Sequence, residues 1–245
     1  MERAADVEEL LDGPLDDPAA LRGNLRDLER VNRWLGGTAL SAHAIDALAG
    51  DRETLTILDV GTGAADIPAA LLARAARAGR RLRITGIDSR SEVLAAALAR
   101  RPHLRDTSGL ELQVGDGTSL PFLDRSFDVA HASLLVHHLD PAAAVVLFRE
   151  MGRVARRGIV VNDLLRGRAA WLGAWLLSRL LTRNRYTRHD ASLSVRRAYT
   201  VSELTALMAA AGLRVESVRI GGPLGHRVVL TATAGPAAAE AGALA

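Results

Sequence analysis

The stretch Thr56-Ile57-Leu58-Asp59-Val60-Gly61-Thr62-Gly63-Ala64-Ala65-Asp66 joins a β-branched apolar run to an Ala/Leu-rich segment through an acidic residue and a G-x-G turn. Glycine has no Cβ and takes positive φ at little cost, so Gly61 and Gly63 let the backbone press against a ligand. A helix beginning near Ala64 would aim its free N–H groups at the same place. Together these features form a cradle for a nucleotide-type cofactor. A dinucleotide site wants a third glycine three residues after the second, where the helix packs close to the strand and a pyrophosphate sits. That position is Asp66 here. Its carboxylate would repel a pyrophosphate but suits a ligand that carries positive charge.

S-adenosylmethionine, with its sulfonium and ammonium groups, is such a ligand. The order Asp59-Val60-Gly61-Thr62-Gly63 resembles the first motif of class I S-adenosylmethionine-dependent methyltransferases. One βαβ step later, Gly86-Ile87-Asp88 ends an apolar run in a carboxylate, which can accept both hydroxyls of a ribose. Gly115-Asp116-Gly117 follows the next strand and resembles the family's adenine-side motif, with Asp116 accepting from the adenine amino group beside Gly117. The run Phe127 to Leu139 resembles the fourth-strand motif of ubiquinone/menaquinone-type and small-molecule methyltransferases, and the resemblance sets Ser133 beside the cofactor. Ala132-Ser133-Leu134-Leu135 stands where exocyclic-amine methyltransferases of nucleic acids carry Asn/Asp-Pro-Pro-aromatic, which weighs against a nucleic-acid substrate.

Methyl transfer draws much of its acceleration from proximity and in-line orientation, because the sulfonium is already a competent leaving group. A hydroxyl acceptor must still lose a proton. Histidine titrates near neutrality, so His137 and His138, directly after the fourth strand, are the candidate bases. A second reading makes the pair packing or capping residues. Asn162 and Asp163 end the fifth strand on the ligand side, and Asn162 is a candidate substrate contact. Phe122 is read either as pocket lining or as core. Farther on, Arg188-His189-Asp190 and Ser194-Val195-Arg196-Arg197-Ala198-Tyr199-Thr200 resemble methyltransferases associated with polyketide pathways. The resemblance suggests His189 as a substrate contact and the helix bearing Trp171, Trp175 and Leu176 as an apolar lid. Core packing explains the tryptophans equally well.

The elements that must position these residues alternate between short β-branched runs and segments of helical period, the pattern of βαβ units and a parallel sheet. Strands are predicted at Thr54 to Val60, Leu82 to Asp88, Leu110 to Val114, Phe127 to Ala132 and Gly158 to Asp163. Helices are predicted at Ala64 to Ala78, Ser91 to Arg100, Pro141 to Val154, Arg168 to Leu181 and Val201 to Ala211. Two last strands, Leu213 to Ile220 and Arg227 to Thr233, flank Gly221-Gly222-Pro223-Leu224-Gly225, a connection short enough only for an antiparallel pair. This arrangement resembles the α/β, Rossmann-like class I methyltransferase fold, and the resemblance implies a mostly parallel seven-stranded sheet with a C-terminal antiparallel hairpin. Leu21 to Leu35 and Ser41 to Leu48 are read as helices of an N-terminal cap over the cofactor, separated by Gly36-Gly37. The domain reading is therefore a cap over 1–50, a methyltransferase domain over 51–235 with a lid-like insertion about 165–200, and a disordered tail over 236–245. The N-terminal dozen also has the composition of disorder.

At 245 residues, 49% of them apolar, the chain suffices for one α/β domain with its own core. It has no cysteine, which excludes a disulfide framework, a thiolate metal site and a cysteine nucleophile. No metal is expected. The isoelectric point of 10.3 overstates the basicity. All 31 basic residues are arginine, and the net charge is only +3. The run of arginines from Arg179 to Arg197 is read either as a solvated face or as an anion site. An acidic N-terminus and no apolar run near the 20 residues of a membrane span give the expectation of a cytoplasmic protein.

The sequence thus predicts S-adenosylmethionine-dependent methyl transfer to a small molecule, preferably a phenolic or enolic oxygen of a polyketide-like or aromatic metabolite of secondary metabolism. C-methylation of a quinone precursor is the nearest alternative. A nicotinamide-dependent oxidoreductase and a non-catalytic cofactor-binding protein are the other readings. A homodimer is compatible with all of them.

Overall fold

A computed structural model of the chain describes residues 1–235; the tail predicted over 236–245 lies outside the described residues. Two helices come first, α1 (Pro18–Trp34) and α2 (Gly37–Ala49). Asp17 caps α1 by accepting from the amides of Ala19 and Ala20, and Pro18 supplies a first-turn residue that needs no hydrogen bond. Gly36 turns the chain at φ 85° into α2. Gly37 has another role: a Cβ there would lie 2.6 Å from Arg227 Nη1, so only glycine admits that guanidinium.

The alternating core follows as β1 (Thr54–Val60), α3 (Asp66–Arg77), β2 (Arg81–Asp88), α4 (Ser91–Arg100), β3 (Leu110–Val114), β4 (Phe127–Ser133), α5 (Pro141–Val154) and β5 (Ala155–Leu164). After it come α6 (Arg168–Leu181), α7 (Arg185–Arg197), α8 (Val201–Ala210), β6 (Leu213–Gly221) and β7 (Arg227–Ala234). The strands form one seven-stranded sheet in the order β3-β2-β1-β4-β5-β7-β6. β1 pairs in parallel with both β2 and β4, so the strand order reverses between β1 and β4 and opens a crevice at their carboxyl ends. β7 runs antiparallel to β5 and β6 and inserts between them.

Burial on both faces explains why the central strands read as near-continuous apolar runs. On one face α5 and α8 cover β4, β5 and β7 through Leu147, Phe148, Met151, Leu204 and Met208. On the other, Ala42 and Ile45 of α2 join Ile67 and Leu71 of α3 against Ile57, Ile84, Val129, Val160 and Val229. The second N-terminal helix, read from sequence as a cap over the cofactor, is thus a layer of the sandwich. Leu21 and Leu25 of α1 pack instead with Val93 and Ala96 of α4 and Tyr186 of α7.

Two segments differ from the sequence expectation. Residues 185–197, which show little regular pattern in sequence, form α7, capped by Asn184 accepting from the Thr187 amide. The N-terminal dozen is seated on the fold rather than disordered: Ala4 N–H donates to Arg196 O, and Glu9 is only 3% exposed. Its bonds reach across more than a hundred residues of sequence, so composition could not reveal them.

Candidate functional site

The loop between β1 and α3 takes left-handed backbone at Gly61 (φ 70°), Gly63 (φ 53°) and Ala65 (φ 51°), so α3 starts at Asp66, two residues later than its sequence suggests. Three donors of this turn are used within the protein. Thr62 N–H bonds Ile87 O at 2.8 Å, Gly63 N–H bonds Asp88 Oδ2 at 3.0 Å, and Ala65 N–H bonds Thr62 O at 2.8 Å. This corrects the picture of amides held free for the ligand. It also leaves fewer amides than a pyrophosphate cradle would offer, so the turn serves mainly to shape the cavity. At Gly61 a Cβ would come within 3.0 Å of Leu135 Cδ1 on the far wall.

Asp88 ends β2 with one oxygen on the Gly63 amide and the other on the Arg90 amide, each at 3.0 Å. A carboxylate oxygen accepts more than one bond, so both retain capacity for ligand hydroxyls. Burial raises the Asp88 pKa, and the two amides offset part of that rise. Gly61 and Asp88 line one side of an open cleft. Asp116 and Gly117 close it from the β3 side, and Leu135, Leu139 and Leu147 supply an apolar wall. Asp116 is exposed, and its Oδ1 accepts from Thr118 N at 2.8 Å and Thr118 Oγ1 at 2.7 Å. That bonding fixes the turn and leaves its second oxygen free.

The other four predicted cofactor residues stand outside the cleft wall. Asp59 is buried with both oxygens engaged, Oδ2 accepting from Thr62 Oγ1 at 2.7 Å and Oδ1 lying 2.5 Å from His131 Nδ1. It holds the turn rather than facing a ligand. Gly63 acts through the amide bonded to Asp88. Asp66 accepts from Asn32 Nδ2 at 3.0 Å, and burial raises its pKa. Ser133 Oγ lies 3.5 Å from Arg227 Nη1.

Neither candidate base lines the cleft. His137 is buried, its Nδ1 2.6 Å from Asp163 Oδ1, and the Nδ1 of His138 is 2.7 Å from Asp12 Oδ1. The rings stack at 4.3 Å and both turn towards Glu9. Burial works to raise the Asp163 pKa, but the neighbouring His137 imidazole brings it below the ordinary value. For Glu9 burial dominates and pushes the carboxyl up to about 7.

The candidate substrate residues are dispersed as well. Asn162 is wholly buried, giving its amide to Gly37 O and Ser41 Oγ and accepting from Arg227 Nη1. Trp171 is half-buried on α6, while Trp175 and Leu176 are exposed. His189 is exposed, its Nδ1 2.8 Å from Asp190 Oδ1. Phe122 packs edge-on against Phe127 with centroids 5.0 Å apart. The arginine run is divided: Arg188 bonds the carbonyls of Thr182 and Arg179, and Arg197 is buried against Asp12 and His138 O.

Sequence reasoning missed the leucine wall, because Leu135 and Leu139 look like ordinary core in a motif valued for its polar residues. The N-terminal segment was missed too. Arg90 binds the carbonyls of Leu11, Asp12 and Gly13, and Arg3 stacks on Tyr199 at 4.0 Å, so this segment straps the ligand end of the sheet.

Residues 57–158 match the family of methyltransferase domains. Across 177 residues the chain is 30% identical to an uncharacterized 37.1 kDa protein in transposon TN4556 of Streptomyces fradiae, covering 71% of this chain and 47% of that one. Across 111 residues it is 39% identical to the demethylmenaquinone methyltransferase of Thermotoga maritima, covering 44% of this chain and 43% of the relative. The chain therefore spans about half the length of these curated relatives. Among solved structures it resembles the O-methyltransferase NcsB1 from neocarzinostatin biosynthesis, in complex with S-adenosyl-L-homocysteine and 1,4-dihydroxy-2-naphthoic acid. That match has a TM-score of 0.65 at 18% identity and covers 93% of this chain and 62% of the other. The fold is the Rossmann-like class I methyltransferase fold that the motifs predict. Among the described residues no helix is long and apolar enough to cross a membrane.

Proposed function

We propose that this chain is a class I methyltransferase that transfers the methyl group of S-adenosylmethionine to a phenolic or enolic oxygen of a small aromatic or polyketide-like molecule. The observation that carries the cofactor assignment is the β1–α3 turn. Its amides are tied to Ile87 and Asp88, and acidic Asp66 occupies the position where a dinucleotide site has glycine. Such a turn repels pyrophosphate and accommodates an adenosine whose charge is positive. Asp88 receives the ribose hydroxyls, Asp116 the adenine amino group, and the wall of Leu135, Leu139 and Leu147 holds the flat base out of water.

Bound S-adenosylmethionine would supply an electrophilic methyl group with a neutral thioether as leaving group, and the acceptor's proton would pass to solvent. Both imidazoles are turned from the cleft, which favours acceptors acidic enough to arrive as oxyanions, such as hydroxyls conjugated to a carbonyl. Rate then comes from holding the oxyanion in line with the methyl group. The naphthoic acid bound by NcsB1 supports an aromatic hydroxyl acceptor. The Thermotoga relative's name supports a second reading, C-methylation of a quinone precursor at a carbon activated by an adjacent phenolate.

Isotope-labelled S-adenosylmethionine and a panel of hydroxynaphthoates and quinols provide the test. Labelled product with stoichiometric S-adenosylhomocysteine supports methyl transfer, and the labelled atom separates O- from C-methylation. Cofactor binding without turnover on any acceptor favours a non-catalytic role, and NADH binding in place of S-adenosylhomocysteine overturns the proposal.

A further inference from the structure

The strap and the turn after β4 build a cluster that methyl transfer does not use. His137 Nδ1 and His138 Nδ1 each face a carboxylate, Asp163 at 2.6 Å and Asp12 at 2.7 Å. An ionised carboxylate only accepts, so each Nδ1 carries the hydrogen and each Nε2 presents a lone pair. Both lone pairs point at Glu9, with His137 Nε2 3.9 Å from Oε1 and His138 Nε2 3.9 Å from Oε2. Ser194 Oγ donates to Oε2, whereas Oε1 is buried with no hydrogen-bond partner. Glu9 as a whole is 3% exposed. Two nitrogen lone pairs and a carboxylate therefore converge in a buried space, with the unpartnered Arg197 Nε–H 3.9 Å from Oε1, at distances too long for direct hydrogen bonds.

We propose that Glu9, His137 and His138 bind a divalent cation of zinc type, which fastens the N-terminal strap to the ligand end of the sheet. Two imidazole nitrogens and one carboxylate oxygen are a familiar zinc donor set that leaves a fourth position for water. With metal–ligand bonds of about 2.1 Å at tetrahedral angles, neighbouring donors lie about 3.4 Å apart. One nitrogen from each imidazole and one Glu9 oxygen lie within 4.8 Å of one another, so the donors close to this with shifts of about an ångström. The surroundings also match what such sites need: a carboxylate on each Nδ1 fixes the tautomer and aims the Nε2. Arg197 Nε lies 3.9 Å from Glu9 Oε1, but its Nη1 is paired with Asp12 and its Nη2 with His138 O. The donors come from two segments far apart in sequence, Glu9 and the adjacent pair His137-His138, which explains why no ligand spacing shows in the chain.

The test is titration of the metal-stripped full-length protein with Co²⁺, read by its visible d–d bands, followed by competition with Zn²⁺. One Co²⁺ per chain with tetrahedral-type bands, displaced by Zn²⁺, is the expected result. Glu9→Gln and His138→Gln should each weaken binding by about a hundredfold or more, beyond the effect of losing an outer-shell partner. His103→Gln, at a site remote from the cluster, should bind as the unaltered protein does. Zn²⁺ should also slow proteolysis of the strap in the unaltered protein and not in His138→Gln, which keeps the test open if Glu9→Gln fails to fold. Absence of the bands, or equal binding by the unaltered protein and both ligand variants, would overturn the proposal and leave shared protons as the occupants.

Discussion

Replacing Asp88 with alanine tests the cofactor cradle most directly. Two ribose hydroxyls donating to a charged acceptor contribute about 1.5–3 kcal/mol each. The cleft is open, so the freed hydroxyls regain water and the loss falls at the low end, about 3 kcal/mol in total. That corresponds to S-adenosylhomocysteine binding on the order of a hundredfold weaker. Folding should change far less. The amides of Gly63 and Arg90 lose their acceptor, but Asp88 borders the open cleft and water can replace it, at a cost of about 1 kcal/mol. Calorimetric titration gives the affinity, and a thermal melt controls for the fold. Asp116→Ala provides an internal scale: its carboxylate is exposed and would lose one donor, about 1.5 kcal/mol, for a loss of about tenfold. An Asp88→Ala protein that melts normally and binds S-adenosylhomocysteine within threefold of the unaltered chain would refute the placement of the ribose, and with it the cradle.

Gly61→Val places a β-branched side chain at φ 70° with its Cβ 3.0 Å from Leu135 Cδ1; it should abolish S-adenosylhomocysteine binding in calorimetry and lower the melting temperature by about 5 °C. The raised pKa of Asp88 makes cofactor affinity fall on acidification at a higher pH than for an ordinary aspartate, and a fluorescence titration from neutrality downwards should show this loss disappearing in Asp88→Asn. The sign for folding is opposite: a carboxyl whose folded pKa is raised favours the fold as pH drops through that value, so unfolding driven by Asp88 does not mimic the loss. Arg227→Met strips donors from Asn32 Oδ1 and Asn162 Oδ1 in a fully buried setting and should cost about 2–4 kcal/mol, read as a lower urea midpoint; an unchanged midpoint would show that the guanidinium is dispensable.

What was legible in the sequence is what repeats with a period or sits at a strand end. β1, β3 and the helices Ser91–Arg100, Pro141–Val154 and Arg168–Leu181 coincide with the predicted limits, because apolar period and flanking turn residues act locally. Gly61, Asp88, Asp116 and Gly117 reach the cleft because a βαβ sheet delivers every strand's carboxyl end to one edge. The failures share a different cause. Asp59 is acidic in the expected place, but its partner His131 lies on a neighbouring strand and consumes it. His137 and His138 follow the right strand, yet Glu9 and Asp12 of a distant segment decide where their rings turn. The start of α3 moved because Ala65 takes left-handed backbone, which alanine disfavours in isolation and which only the packed turn enforces. Long-range polar pairing is the information that a local pattern does not hold.

That pairing also explains why the N-terminal helices belong to the site without touching the cleft. From Asp59 a buried chain of bonds runs through His131 to Ser41 of α2, on to Asn162 of β5 and Arg227 of β7, then to Asn32 of α1, and ends on Asp66. Its directions are consistent: His131 Nδ1–H donates to Asp59, its Nε2 accepts from the Ser41 hydroxyl, and Ser41 accepts from Asn162. The chain thus starts and finishes on the two acidic residues that flank the G-x-G turn. Burying a guanidinium at 0% exposure is expensive, and its pKa is pushed down to about 10 by that burial. An apolar core of the same volume would avoid this cost. What the polar circuit provides is a fixed position for Asp59 and Asp66 at opposite ends of the turn, and through the bonds that tie the turn to Asp88, a fixed floor for the ligand. Sequence change in α1 or α2 should therefore reach cofactor affinity through Asn32 and Ser41 before it reaches the hydrophobic core.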